Sequence, residues 1–457
     1  TGPSGGGAGD RRYPDDTVLA KEELHASLSS PALKGMTFLN EISARYRAAI
    51  SFAAGRPYEE FFDTDEVFAA LHRYVGYLTE RGATPQQVRR TLCQYGTTAG
   101  EIRELVAESL RADEGILAEP GSVVVTVGCQ EAMLLVLRAL FTGGDDVLLV
   151  SSPCYLGITG AARMLDVPVT AVPEGDQGLS ADALAAAIRS ERSRGRRPRA
   201  CYVAPDHANP SGNTIPRSQR RALLDLAARE RVLLLEDSPY RLVSAGRREP
   251  ALKALDHHRS VILLGSFAKT VFPGARVGYL VADQRVRDAT GQTGLLAGEL
   301  TKLKSIVTVN TSPLSQAVVA GVLLGSGGGL ATRAARAAAH YRDGLATLRR
   351  ELERHFPARR RDRLAVDWNR PEGGFFLSLR VPFRADDAAL ARCASDHGVI
   401  WTPMSYFHPR GGGDDVMRLS CSNLTRPEIE EGVARLARFI TDEMRHGQRA
   451  AGKGADT

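Results

Sequence analysis

The sequence predicts an α/β protein: a large domain built on a mostly parallel sheet with helices on both faces, followed by a smaller α+β domain. Three observations carry this expectation. The chain has 457 residues, too many for one ordinary core, and 43% of them are apolar, enough to fill two. From Ser122 to Ser266 short apolar runs alternate with amphipathic stretches of helical length, which is the pattern of βαβ units. Beyond Leu352 the alternation gives way to isolated strands and helices.

Taken in order, residues 1–16 are Gly-rich and polar and are expected to be disordered, as is the tail 447–457. Helices are expected from Leu19 to Leu28 and from Phe38 to Tyr46, and Ile50–Ser51–Phe52 reads as a strand broken by Gly55 and Pro57. Arg56 and Tyr58 on that loop face either solvent or a substrate. A helix from Thr64 to Arg81 precedes the loop Gln94–Tyr95–Gly96, and a further helix follows from Glu101 to Ala112. Strands are then expected at Ser122–Val127, Asp146–Val150, Val167–Val172, Ala200–Ala204, Val232–Leu235 and Ser260–Leu264, with helices between them. Long helical stretches follow at Arg285–Leu303 and Ser312–Leu352. The smaller domain is expected to hold strands at Leu364–Trp368, Gly373–Leu379 and Val416–Cys421, with helices at Asp386–His397 and Arg426–Met444.

The totals exclude several classes. No apolar stretch approaches the length needed to cross a bilayer. The net charge is +6, but 59 basic residues are interspersed with 53 acidic ones, and the basic runs at Arg192–Arg199 and Arg359–Arg361 lack the interleaved aromatics of a nucleic-acid surface. The six cysteines are scattered without zinc or disulfide spacing, so no metal is expected. The first residues have no apolar core of a signal peptide, and a reducing, cytoplasmic setting is the expectation.

The chemistry concentrates in Gly265–Ser266–Phe267–Ala268–Lys269–Thr270, at the end of an apolar strand, where ligands collect in α/β sheets. Desolvation there disfavours the ammonium form of Lys269 and leaves a neutral nucleophile that can form a Schiff base with an aldehyde. Arg276 offers a planar fork for phosphate and Ser266 a hydroxyl. Together they ask for a phosphorylated aldehyde. Gly128 ends a strand and starts a helix at once, the geometry that points free N–H groups at an anion, or else an ordinary strand-to-helix turn. Asp237, at the end of an apolar strand, needs a cation, and a protonated ring nitrogen would serve. Glu236 and Asp237 point to opposite faces, so only one meets the site. Arg418, in mid-strand among apolar residues, needs an anion, either a carboxylate of this chain or a ligand.

Ser-Phe-Ala-Lys-Thr with Pro-Gly-Ala-Arg-Val-Gly-Tyr, the Asn209–Pro210–Ser211–Gly212 loop, Asp237, Tyr240 and Arg418 together resemble the fold-type I, class I/II aminotransferases that depend on pyridoxal 5'-phosphate. The resemblance runs from about Ile50 to Met444. It implies a large domain with a seven-stranded, mostly parallel sheet at 61–335, a small domain at 336–446, and a segment 17–60 that joins the small domain. Lys269 would hold the cofactor and move the proton between substrate Cα and cofactor C4′, Asp237 would pair with the ring nitrogen, and Tyr155 would stack on the ring. Asn209 and Tyr240 would bond the ring hydroxyl. Gly128, Cys129, Gln130, Ser266 and Arg276 would hold the phosphate, with Tyr95 reaching the phosphate of the neighbouring subunit of a homodimer. Arg418, with Gly55 and Asn209, would bind the substrate.

Within that family, Met36–Glu41, Ile50–Tyr58 and Val127–Met133 resemble the 3,5-dihydroxyphenylglycine aminotransferases of actinobacterial antibiotic biosynthesis. The implied substrate is an amino acid or an aryl or alkyl 2-oxo acid in secondary metabolism. Three residues depart from the family pattern: Cys129, Ala268, and Met404 where a glycine is usual near the substrate. The same residues would serve elimination from a cysteine S-conjugate or a decarboxylating deamination. A non-enzymatic regulator on this fold carries an added DNA-binding domain, for which the stretch before the first helix leaves no room.

Overall fold

The computed structural model describes residues 19–246, 248–327 and 329–453. The expected disordered start at 1–16 lies outside them. Seven strands form the main sheet: β2 (Val123–Thr126), β3 (Asp146–Ser152), β4 (Val169–Pro173), β5 (Arg197–Val203), β6 (Leu233–Asp237), β7 (Val261–Ser266) and β8 (Gly278–Val281), where β1 is the earlier pair Ile50–Ser51. Their order is β2-β8-β7-β6-β5-β3-β4, and only β8 runs against the rest. The strand centres are fully buried on both faces, Val147 to Val150 and Val261 to Leu264 among them, which explains their near-continuous apolar character. Because β2, β3, β5, β6 and β7 share a direction, their carboxyl ends lie along one edge, and the loops that leave that edge carry the site.

A hairpin of β9 (Arg285–Arg287) and β10 (Thr293–Leu295) follows. The second sheet has the order β11 (Asp367–Trp368), β12 (Phe376–Arg380), β15 (Val416–Ser420), β14 (Thr402–Pro403), all antiparallel. β13 (Val399–Ile400) instead pairs in parallel with β1, so the stretch at residues 50–52 is sewn into the C-terminal half of the chain. Phe52 continues the seam, its N–H donating to Ile400 and its carbonyl accepting from Ser420.

Four expectations are corrected. Leu19–Leu28 is two single turns, Lys21–Glu23 and Ala26–Ser29, because Leu19, Leu24 and Leu28 stay 64%, 41% and 49% exposed and give a helix no face to bury. The segment Arg285–Leu303 opens as the β9–β10 hairpin, whose turn the Asp288 carboxylate holds by accepting from Thr290 and Gln292, and only Leu296–Val307 is helical. The stretch Ser312–Leu352 is two helices, Pro313–Gly325 and Ala331–His355; the Asp113 carboxylate accepts from the N–H of Leu330 and Ala331 and so starts the second one afresh. The last helix, Arg426–Lys453, continues past Met444 into the tail expected to be disordered. Among the described residues no helix is long and apolar enough to cross a membrane, and no acidic, His or Cys cluster could hold a metal.

Candidate active site

The carboxyl ends of β5, β6 and β7 and the start of helix Gly128–Leu140 enclose a cavity of about 150 Å³. Its walls include Cys129, Gln130, Tyr155, Asn209, Asp237, Tyr240, Ser266, Lys269 and Arg276. Residues scattered over about a third of the sequence thus meet in one place. Lys269 sits just beyond β7, its Nζ donating to the Gly55 carbonyl at 2.9 Å and lying 5.7 Å from the Tyr240 ring centre. Burial, helped by the nearby Arg276 guanidinium, pulls its amine down to about 8. The neutral form the chemistry needs is therefore close at hand.

Asp237 ends β6 facing the cavity. Glu236 points the other way, where its carboxylate accepts from the N–H of Leu252 and Lys253. The Asp237 oxygens accept from Tyr202 Oη at 2.6 Å and from Cys129 Sγ at 3.8 Å, and burial raises its carboxyl to about 6. No cation forms an ion pair with it among the described residues.

The helix Gly128–Leu140 begins without a side-chain cap, so its first N–H groups remain available to an anion. Arg276 closes over this turn: a Cβ on Gly128, whose φ is +70°, would stand 2.5 Å from Arg276 Nη2. The turn is held from behind by Glu131, which accepts from the Val127 N–H at 2.6 Å and pairs with the fully buried Lys304 at 2.8 Å. The Gln130 side chain donates to Tyr155 Oη at 3.2 Å. Cys129 likewise sends its thiol to Asp237.

Arg418 on β15 is 1% exposed, and no carboxylate pairs with it among the described residues. Its guanidinium donates to Asn209 Oδ1 at 2.7 Å, to the Ala53 carbonyl and to Thr402 Oγ1 at 3.2 Å, while Nε has no partner among the described residues. The Phe376 and Phe407 rings lie 4.5 and 4.8 Å from its central carbon. Burial lowers it to about 10. A cation desolvated this far calls for a counter-ion.

Gly55 is brought in through its carbonyl, and Tyr95 is not brought in at all: it is 82% exposed, away from this chain's cavity. Met404 is buried against Leu156, Phe407 and Val416 and does not line the cavity, whereas Ala268 does. Tyr202 is the residue that sequence reasoning missed. It lies in a strand that reads as pure core, and only the pairing of β5 with β6 reveals its neighbour.

The description "Aminotransferase class I and II" belongs to the family whose sequence model matches residues 64–436. The chain is 47% identical over 434 residues, 95% of its length and 97% of the relative's, to an (S)-3,5-dihydroxyphenylglycine transaminase of Amycolatopsis orientalis. Among solved structures it is similar to the alpha-aminoadipate aminotransferase LysN of Thermus thermophilus, complexed with N-(5'-phosphopyridoxyl)-L-leucine. The two are 30% identical with a TM-score of 0.72, covering 90% of this chain and 97% of that one. A kynurenine aminotransferase of Pyrococcus horikoshii gives 26% identity and a TM-score of 0.76, over 93% and 97% of the two chains.

The donor set fits pyridoxal 5'-phosphate on its own chemistry. The uncapped helix start with Arg276 suits the phosphate, Asp237 suits a protonated ring nitrogen, Asn209 and Tyr240 a ring hydroxyl, and the Lys269 amine an aldehyde.

Proposed function

Because the chain belongs to the class I and II aminotransferases and takes pyridoxal 5'-phosphate as its cofactor, we propose that it transfers the amino group of an arylglycine-type amino acid to a 2-oxo acid in secondary metabolism. The observation that carries the reading is Arg418: buried, without a carboxylate partner among the described residues, and joined through Asn209 to the cavity that holds Lys269. That is a site for the carboxylate common to amino and 2-oxo acids. The identity to the dihydroxyphenylglycine transaminase and the aromatic rings beside Arg418 support the aryl side chain.

When bound, the cofactor supplies an electron sink next to the substrate's Cα. Asp237 would keep the ring nitrogen protonated, Tyr155 would pack against the ring, and Asn209 with Tyr240 would bond the ring hydroxyl. Gly128, Cys129, Gln130 and Arg276 would hold the phosphate through N–H groups and a guanidinium, with the Ser266 hydroxyl to add a further bond. Lys269 Nζ would take the Cα proton and keep it for return. We place the large domain at 61–335 and the small one at 336–446, with 17–60 attached to the latter. We also propose a homodimer in which Tyr95 serves the partner's phosphate, supported by its exposure and by the exposed Ile306, Val309 and Leu314.

The test is a product panel. The holoenzyme is incubated with arylglycines and, separately, with a cysteine S-conjugate, each with and without a 2-oxo acid acceptor, and assayed for 2-oxo acid, ammonia, thiol and carbon dioxide. Product formation that depends on the acceptor is expected. Release of ammonia, thiol or carbon dioxide without an acceptor would overturn transamination in favour of elimination or decarboxylating deamination.

A further inference from the structure

The Asp237 carboxylate is buried, yet no guanidinium or ammonium bonds to it among the described residues. Its two oxygens are held by two neutral donors from different parts of the fold. Tyr202 lies opposite Leu235 in the β5–β6 register, so its side chain shares the face of Asp237 two residues further on, and its Oη reaches Oδ2 at 2.6 Å. Cys129 comes from the first turn of helix Gly128–Leu140, and its Sγ donates to Oδ1 at 3.8 Å. We propose that Tyr202 and Cys129 are positioning residues, which hold Asp237 as a fixed anion in the orientation that accepts the ring N–H of the cofactor.

The need for such donors follows from burial. A desolvated carboxylate without a cation takes up a proton, and a protonated carboxyl would offer a hydrogen where it has to accept one. Burial raises both the phenol and the thiol well above their ordinary values, so each keeps its hydrogen and can only donate. Two such bonds favour the charged form and leave the remaining lone pairs for the ring nitrogen. The other charged groups around Asp237 are Lys269 and Arg276 in the cavity and Glu236 beside it in the strand; none bonds to it. Cys129 also joins two parts of the site: its backbone begins the helix at the phosphate cup while its thiol reaches the partner of the ring nitrogen.

The inference rests on the reading that Asp237 meets that nitrogen, and the test separates the two. Apoenzyme is titrated with pyridoxal 5'-phosphate and with its analogue in which a C–H replaces the ring nitrogen. The wild type should prefer the natural cofactor. Tyr202→Phe should cut that preference about tenfold, the scale of one hydrogen bond to a charged group, while its affinity for the analogue stays within about twofold, and Cys129→Ala should cut the preference by a smaller factor. In the holoenzyme both variants should move the pH titration of the bound cofactor's absorbance. Equal weakening toward both cofactors, or an unchanged preference, would reduce Tyr202 and Cys129 to packing and overturn the proposal. A wild type with no preference would overturn the Asp237 reading and the proposal with it. Cys129→Ala removes a single sulfur atom, so it keeps the test open should Tyr202→Phe fold poorly.

Discussion

Arg418 Nη1 donates to Asn209 Oδ1 at 2.7 Å, so a strand of the small sheet and a loop of the large one share a single charged bond inside the site. Arg418→Lys cannot reproduce the planar fork or keep three partners. The expected loss in kcat/KM for the amino donor is roughly 10²- to 10³-fold, as for several hydrogen bonds to a charged group. Cofactor binding should be nearly unchanged. A loss below tenfold in steady-state kinetics would mean that the substrate carboxylate binds elsewhere.

Lys269→Ala tests the covalent anchor. Borohydride reduction followed by peptide mass spectrometry should find the phosphopyridoxyl group on the Lys269 peptide of the wild type and on no peptide of the variant. Turnover should fall by about 10³ or more, the range of a lost general acid–base group. Full labelling of another lysine in the wild type would remove Lys269 from its role.

The amine of Lys269 is depressed to about 8 from the ordinary 10.5. The folded apoenzyme therefore binds fewer protons than the unfolded chain between those values, and this lysine's contribution to stability rises with pH across that window. The rate of covalent cofactor capture should climb through about pH 8. Arg276→Gln removes one of the charges that lowers the amine, so the midpoint should move upward; stopped-flow capture over a pH series checks the direction.

Gly128→Ala places a methyl group 2.5 Å from Arg276 Nη2 at a φ of +70°. The guanidinium has to leave the turn. Affinity for pyridoxal 5'-phosphate should weaken about tenfold or more, the equivalent of a charge-assisted bond. Equilibrium dialysis of the apoenzyme measures it, and an unchanged affinity would take Arg276 out of the phosphate cup.

Lys304→Met strips the buried Glu131 of its cation while Thr308 and the Val127 N–H still bond to it. The expected destabilisation is about 3–5 kcal/mol by denaturant unfolding. Adding Glu131→Gln should return part of it, because the uncompensated charge goes with the carboxylate.

What could be read from the sequence was whatever is local along the chain. The strand ends at Asp237 and Ser266 and the turn at Gly128 each announce themselves within a few residues, and their alternation with helices gives the parallel sheet. Relationships across strands were not legible: Tyr202 reads as core until β5 is laid beside β6. For Arg418 the sequence could not choose between a carboxylate of its own chain and a ligand; the absence of any such carboxylate around it, among the described residues, is a fact of packing. The hairpin at Asp288 and the restart at Ala331 were hidden because their signals are side-chain bonds to backbone N–H groups, one of them from Asp113, more than two hundred residues away.

The short stretch after β1 contributes to the site through its main chain. Its carbonyls at Ala53, Gly55 and Arg56 accept from Arg418, Lys269 and Ser422 in turn. At Gly55 a Cβ would press on the Phe376 ring at 2.7 Å and through it on Arg418. The specification at this point lies in the path of the main chain. Exchanging peptide links for esters would probe oxygen basicity at these positions, where replacing residues would not, and sequence identity between relatives is a poor guide to whether they share this wall.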